Sequence, residues 1–453
     1  MRSEPGGSRS GLRESMLKSV FVIRRDASML WSAIHKSSLR TRFARLSFVY
    51  PPRIFTSIAP SPPLYPAQTL AQAVSRPSVR NQVLFALFGS CAVFTYAAAW
   101  TNIETDEWLE KLTRGRAPRT WPHTITSLDM KNAADLALAQ ELREGLKNVG
   151  VWTSGLGLAT KNRIMYLWAN VAQSYLNVTE GKRLCWKICL LNIGVYLAWK
   201  SRRFQPYLMR NFVHDPLSGR SITMLYNMFG PRLAVVLALN VFFLDGFGSS
   251  ASFHLLQRQD KLPAGQLEAT SRYHFLAFFI SAGLFAALVS HIIHLRVLYP
   301  RLIARLSLPS NLPQSKPDTW AAAIGTIAPN SGVRAFFRSW FPKTKPQSQL
   351  QLMPRTGGTG ALYALMTLTA LGFPNAEIAL FYPPDYSVPI QWAVGSLVLL
   401  DIVGVWRGWK FFDHFAHLGG AAFGAVYYVY GPRFWSWLRS AVADPSAASA
   451  SVR

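Results

Sequence analysis

The sequence is short of acids and of charge altogether. Of 453 residues only 22 are Asp or Glu, and 15% are charged against 50% hydrophobic, which excludes a disordered polyelectrolyte and an ordinary soluble enzyme. Cysteine is scarcer still. Cys91, Cys185 and Cys189 are an odd number without framework spacing, each inside an apolar run; they exclude a disulfide scaffold and read as small buried residues with no redox or metal role. Other absences narrow the class further. The net charge of +26 is not gathered into a compact basic domain with an aromatic platform, so nucleic acid is not an expected partner. GLGLATK at 155–161 lacks the Gly-Lys-Ser/Thr ending of a phosphate loop. No internal repeat marks a transporter, and no motif calls for a cofactor or a metal.

What the chain does have is apolar blocks. Seven are visible, at about 83–101, 184–199, 224–247, 272–297, 359–382, 388–406 and 411–431. Each approaches the ~20 residues that cross ~30 Å of hydrocarbon as a helix. The pattern predicts an all-α, polytopic membrane bundle of one isolated span plus a compact group of six. Residues 1–80 form a basic leader with thirteen Lys or Arg and three acids, repeated Ser and no long uninterrupted apolar core, the signature of a mitochondrial transit peptide. Residues 81–183 hold the first span and a polar amphipathic connector, 184–435 the six-helix core interrupted by a basic, Pro- and Ser-rich loop at 298–356, and 436–453 a tail. The bias of Lys and Arg among short loops predicts the N-terminus in the matrix, with residue 359 starting its helix near the matrix face.

Two stretches carry possible chemistry. RTGGTGALYAL, residues 355–365, opens an apolar run with three glycines around a threonine, and GWKFFDHFAHLGGAAFGAVYYVYG, residues 408–431, places His417, Ala421 and Gly424 at helical spacing. Small residues in that register admit a neighbouring helix closely, within reach of the imidazole. Asp401 lies inside an apolar block and reads as a structural partner within the bundle. Asp413 and His414 precede His417 by one turn at the membrane boundary. His291 and His294 end a span beside Arg296 and read as interfacial. Asn177-Val-Thr179 is a formal glycosylation acceptor.

AHLGGAAFG on the last span, with Gly-x-x-Gly opening an earlier one, resembles the rhomboid family of intramembrane serine proteases. The longer string GWKFFDHFAHLGG, the one-plus-six layout and the basic leader resemble its mitochondrial branch. The resemblance implies cleavage of transmembrane segments of client proteins in the mitochondrial inner membrane. A nucleophile on the fourth core helix would act with a histidine base on the sixth, and with oxyanion donors near the second.

Carried over residue by residue, it implies Thr359 and His417 as the catalytic pair, Asn240 with the Thr359 amide as oxyanion donors, and Gly357, Gly358 and Gly360 as the clearing around the hydroxyl. It implies Gly419, Gly420, Ala421 and Gly424 as the close helix contact. The sequence departs from the family at two points: Thr359 stands where serine is usual, and Val236 where a histidine donor is common. Two readings follow. One is a protease, slowed by its threonine; the other is a pseudoprotease that binds or escorts membrane clients without cutting.

Overall fold

The computed structural model describes residues 78–114, 125–260, 266–306, 358–379, 387–409 and 412–443. The basic leader to residue 77, residues 307–357 with Gly357, and the tail from 444 lie outside the described residues. The described residues belong to one compact unit, apart from residues 303–306, which fall outside it.

The described chain is helical nearly throughout. In order it forms α1 (Arg80–Thr113), α2 (Ser127–Trp152), α3 (Leu158–Leu176), α4 (Glu180–Lys200), α5 (Gln205–Asn211), α6 (Thr223–Tyr226), α7 (Ala234–Asp260), α8 (Arg272–Ile293) and α9 (Tyr299–Leu306). Then follow α10 (Thr359–Gly372), an antiparallel pair of β1 (Glu377–Ala379) and β2 (Ser387–Pro389), α11 (Ile390–Arg407) and α12 (His414–Val442).

By length and composition four described helices can cross a membrane: α1, α7, α8 with its continuation to Arg301, and α11; α10 is a shorter apolar helix. Their outer faces stay apolar, with Phe88, Trp392 and Trp406 all exposed, as a lipid solvent requires. The molecule is an all-α polytopic bundle.

Sequence punctuation sets the helix ends. α2 starts in a capping box, Thr126 and Asp129 each satisfying the other's backbone N–H. Pro389 precedes α11, and Gly408, at φ 67°, closes it in the left-handed conformation that glycine adopts without strain. Asp413 caps α12 by accepting from the Ala416 N–H at 3.1 Å. The expected blocks shift where proline intervenes. The block at 224–247 splits into a short turn of helix before Pro231 and α7 after it. The block at 359–382 stops as helix at Gly372, just ahead of Pro374. The last block runs on to Val442 with Pro432 inside the helix.

α10 and α12 form the centre, flanked by α7, α8 and α11, while α1 docks on α8 and α12 and α4 lies along α7. Lipid tails are as apolar as leucine, so close fit replaces hydrophobic transfer as the force between these helices. At α1, α8 and α12 the fit comes from rings: Phe275, Phe278 and Trp435 are fully buried, and Trp435 stacks on His274 at 4.1 Å. Cys185 and Cys189 are buried as expected; Cys91 is exposed on the outer face of α1, so the expectation of burial is corrected there.

Candidate active site

At α10 and α12 the fit comes from missing side chains. A Cβ on Gly420 would collide with the Gly360 carbonyl oxygen, and one on Gly424 would lie 2.5 Å from that of Ala364. From the other side, a Cβ on Gly360 would sit 2.9 Å from the Ala416 carbonyl and collide with the Ala286 side chain. Glycine is what lets these two backbones touch. Gly419 turns instead toward Val289 and Ala286 of α8. Ala421 joins Tyr363, Met366, Ile390 and Val394 in the cluster between α10 and α11. The face toward α10 is therefore His417, Gly420 and Gly424, one register from the predicted His417, Ala421 and Gly424. Gly358 packs against the backbone of Met228, so the turn ahead of α7 closes beside the start of α10.

The close approach joins the two predicted residues. Thr359 Oγ1 lies 2.8 Å from His417 Nε2, and His417 Nδ1 lies 3.1 and 3.2 Å from the two carboxylate oxygens of Asp401. The carboxylate can only accept, so Nδ1 carries the proton, Nε2 of the neutral ring accepts, and the Thr359 hydroxyl donates. The order hydroxyl, imidazole, carboxylate is that of a hydrolytic triad.

Thr359 is the first residue of α10, so no earlier turn of that helix offers its hydroxyl a carbonyl. Thr369, deeper in the same helix, spends its hydroxyl on the Leu365 carbonyl at 2.8 Å. Tyr363, one turn after Thr359, stacks on the His417 ring at 4.2 Å and 11° and fixes its plane.

Asp401 is nearly fully buried and receives a second imidazole, His414 Nδ1, at 2.5 Å from the same oxygen. Gly404 makes room for that ring, since a Cβ there would lie 2.5 to 2.9 Å from His414 atoms. The structure thus draws Asp401, Tyr363 and His414 into the site; the sequence singled out Asp401 as a structural partner and His414 as a neighbour of His417 at the membrane boundary, where the structure instead buries it. The signal at Asp401 was an acid inside an apolar span; the partner across the helical turn was not visible. The same three side chains, Asp401, His414 and His417, offer donor atoms within 4.8 Å of one another, a two-histidine, one-carboxylate set able to hold a metal ion.

The remaining predicted residues lie around this centre. Asn240 is buried on α7, and its amide oxygen has no hydrogen-bond partner among the described residues. His291 and His294 are buried rather than interfacial. His291 Nδ1 meets His214 Nε2 at 3.0 Å, and His214 Nδ1 meets Thr223 at 2.9 Å. Burial, reinforced by His291, pushes the His214 pKa down to about 4. Ser290, on the turn before His294, donates to both oxygens of Asp413 at 2.9 and 2.7 Å. Thus α8 holds the cap of the helix that carries His417.

Known proteins resemble this one over the same region. A rhomboid domain profile matches residues 322–434, which include Thr359, Asp401, His414 and His417. Presenilin-associated rhomboid-like protein A, mitochondrial, of Danio rerio is 23% identical over 62% of this chain and 59% of its own length. Presenilin-associated rhomboid-like protein, mitochondrial, of Homo sapiens is 24% identical over 56% of this chain and 50% of its own. Rhomboid protein 1, mitochondrial, of Saccharomyces cerevisiae is 34% identical over 20% of this chain and 26% of its own. The chain thus spans between half and three fifths of the length of the first two. No solved structure matches it. Over residues 322–434 the chain is similar to the rhomboid domain, and its relatives named above are mitochondrial rhomboid proteins.

Proposed function

We propose that the protein is an intramembrane endopeptidase of the mitochondrial inner membrane, with Thr359 as nucleophile. The observation that carries this reading is the 2.8 Å bond between Thr359 and His417. In this scheme His417 takes the hydroxyl proton as Oγ1 attacks the scissile carbonyl of a client's transmembrane segment, then returns it to the leaving amine. Asp401 keeps Nδ1 protonated and stabilises the imidazolium that forms. The Thr359 amide and Asn240 supply oxyanion donors, and Gly358 and Gly360 leave the hydroxyl clear. Orientation follows the loop charges, with the N-terminus in the matrix.

Thr keeps a hydroxyl of serine-like basicity, while its methyl occupies space that the glycines cleared and restricts χ1. The loss of a donor at Val236 lowers the rate by about 10²- to 10³-fold. That missing donor is also what favours the second reading, a bundle that binds client segments without cutting them. Purified protein in liposomes with a transmembrane reporter separates the two. Cleavage that disappears in both Thr359→Ala and His417→Ala supports the protease. An inert wild type whose Thr359→Ser variant cleaves supports the binding role instead.

A further inference from the structure

A second concave site lies away from the hydroxyl and imidazole, where α4 ends and α7 begins. A cavity of about 270 Å³ is lined by Trp199, Lys200, Gln205, Met209 and Arg232. Its lining holds two cations and no carboxylate, and neither Lys200 nor Arg232 forms an ion pair with a described residue. Arg232 lies over the Trp199 ring at 5.4 Å, and Lys200 over Tyr196 at 4.7 Å, so aromatic faces hold both charges in place. The Trp199 indole N–H is buried and has no hydrogen-bond partner among the described residues. Gln205 donates to the Trp199 carbonyl at 3.2 Å, fastening α5 to the end of α4. A buried orphan donor beside two unpaired cations is a site built for an anion.

Its position selects the kind of anion. Lys200 is the last residue of α4, and Arg232 stands two residues before α7, a membrane-crossing helix. Between them Phe204, just before α5, and Tyr207 and Met209 on it face outward among Arg202, Arg203 and Arg210, with Pro206 in the first turn of α5. Exposed aromatics interleaved with arginine on a short helix at the end of a span are suited to the headgroup layer. Basic pockets at such helix ends take lipid phosphates. We propose that this cavity binds the phosphate of an anionic phospholipid, with Lys200 and Arg232 pairing its charge and the Trp199 N–H donating to a phosphate oxygen. The proposal needs the chain to be embedded in a bilayer and does not depend on proteolysis.

The test uses the full chain in phosphatidylcholine nanodiscs doped with phosphatidylglycerol, with retained lipid read by native mass spectrometry. Wild type is expected to retain phosphatidylglycerol in preference to phosphatidylcholine. Lys200→Gln with Arg232→Gln is expected to reduce that retention about tenfold, the scale of one to two charge contacts at a membrane surface. Arg202→Gln with Arg203→Gln, an equal loss of charge outside the cavity, should retain lipid as wild type does. Trp199→Phe removes the orphan donor alone and should weaken retention several-fold; this variant decides the matter if the double charge variant does not fold by thermal melt. An equal loss in both charge pairs, retention of either lipid alike, or retention unchanged in Trp199→Phe would each overturn the assignment. Displacement of the lipid by inorganic phosphate at matched concentration would reassign the cavity to a free anion and overturn the lipid reading.

Discussion

α12 is secured at its two ends by opposite means. Toward its start it meets α10 through Gly420 and Gly424, where added carbon would strike backbone. Toward its end it meets α1 and α8 through large and charged groups. Trp435 stacks on His274, Tyr427 is hydrogen-bonded to His274 at 2.8 Å, and Arg439 donates to Asn102 at 2.8 Å and to the Leu267 carbonyl at 2.9 Å. Beside these, Glu268 is fully buried, with Arg439 at 4.0 Å as its ion-pair partner. The difference teaches where each half is vulnerable. The glycine half tolerates no gain of atoms, because backbone cannot move aside. The aromatic and ionic half tolerates no loss, because a deleted partner leaves a buried polar group without compensation.

Four measurements break or sharpen this contrast, in descending size. Asp401→Asn keeps the shape of the site and removes the charge that orders His417; turnover of a transmembrane reporter should fall by about 10³- to 10⁴-fold with the melting temperature little changed. Next, Gly420→Val should destabilise the bundle by about 3 kcal/mol in detergent melts, the upper range for overpacking. Gly395→Val on α11 is its control, since nothing lies within 4 Å of a Cβ there, and it should be close to neutral. A melt as unstable for Gly395→Val as for Gly420→Val would show that the glycines matter through helix propensity instead.

Third, Arg439→Leu should cost about 2 kcal/mol, less than a fully orphaned buried charge would, because Glu268 can take up a proton. The smallest effect is a pair of opposed pH slopes. Burial raises the Glu268 pKa to about 7, against the pull of Arg439. The folded state therefore binds this proton more tightly than the unfolded chain, and stability is lost as pH rises from about 4.5 through about 7. His214, depressed to about 4, does the reverse, and stability is lost as pH falls from about 6.5 toward 4. Melting curves across pH should lose the first slope in Glu268→Gln and the second in His214→Asn. A slope that survives its own substitution would assign it to another group.

Apolar blocks made the helical class and the bundle legible, and small-residue spacing a close helix contact beside His417, because these are local signals; the pairing of Thr359 with His417 came from the resemblance to rhomboids. Residues that act across helices were harder to read. Asp401 announced only that an acid lay in an apolar span, and its bonds to His417 and His414 depend on a turn whose direction no periodicity encodes. His291 looked interfacial beside Arg296, yet its partner His214 lies 77 residues earlier. The offset start of α7 has a plainer cause: Met224–Phe229 and the helix after Pro231 are both largely apolar, and hydropathy alone joins what the proline divides. Thr359 presents the converse case: a threonine within a helix can turn its hydroxyl to a preceding carbonyl, and the place of Thr359 at the helix start removes that competitor.

The αL turn at Gly408 also bears on chain entropy during assembly. It folds α11 back toward α12, so the acid and the base that it orients are only 16 residues apart in the chain; the threonine lies 58 residues from that base. Closing the shorter loop costs less chain entropy, which favours a hairpin of α11 and α12 that sets the imidazole's tautomer by itself, with docking of α10 bringing in the Thr359 hydroxyl of the proposed site.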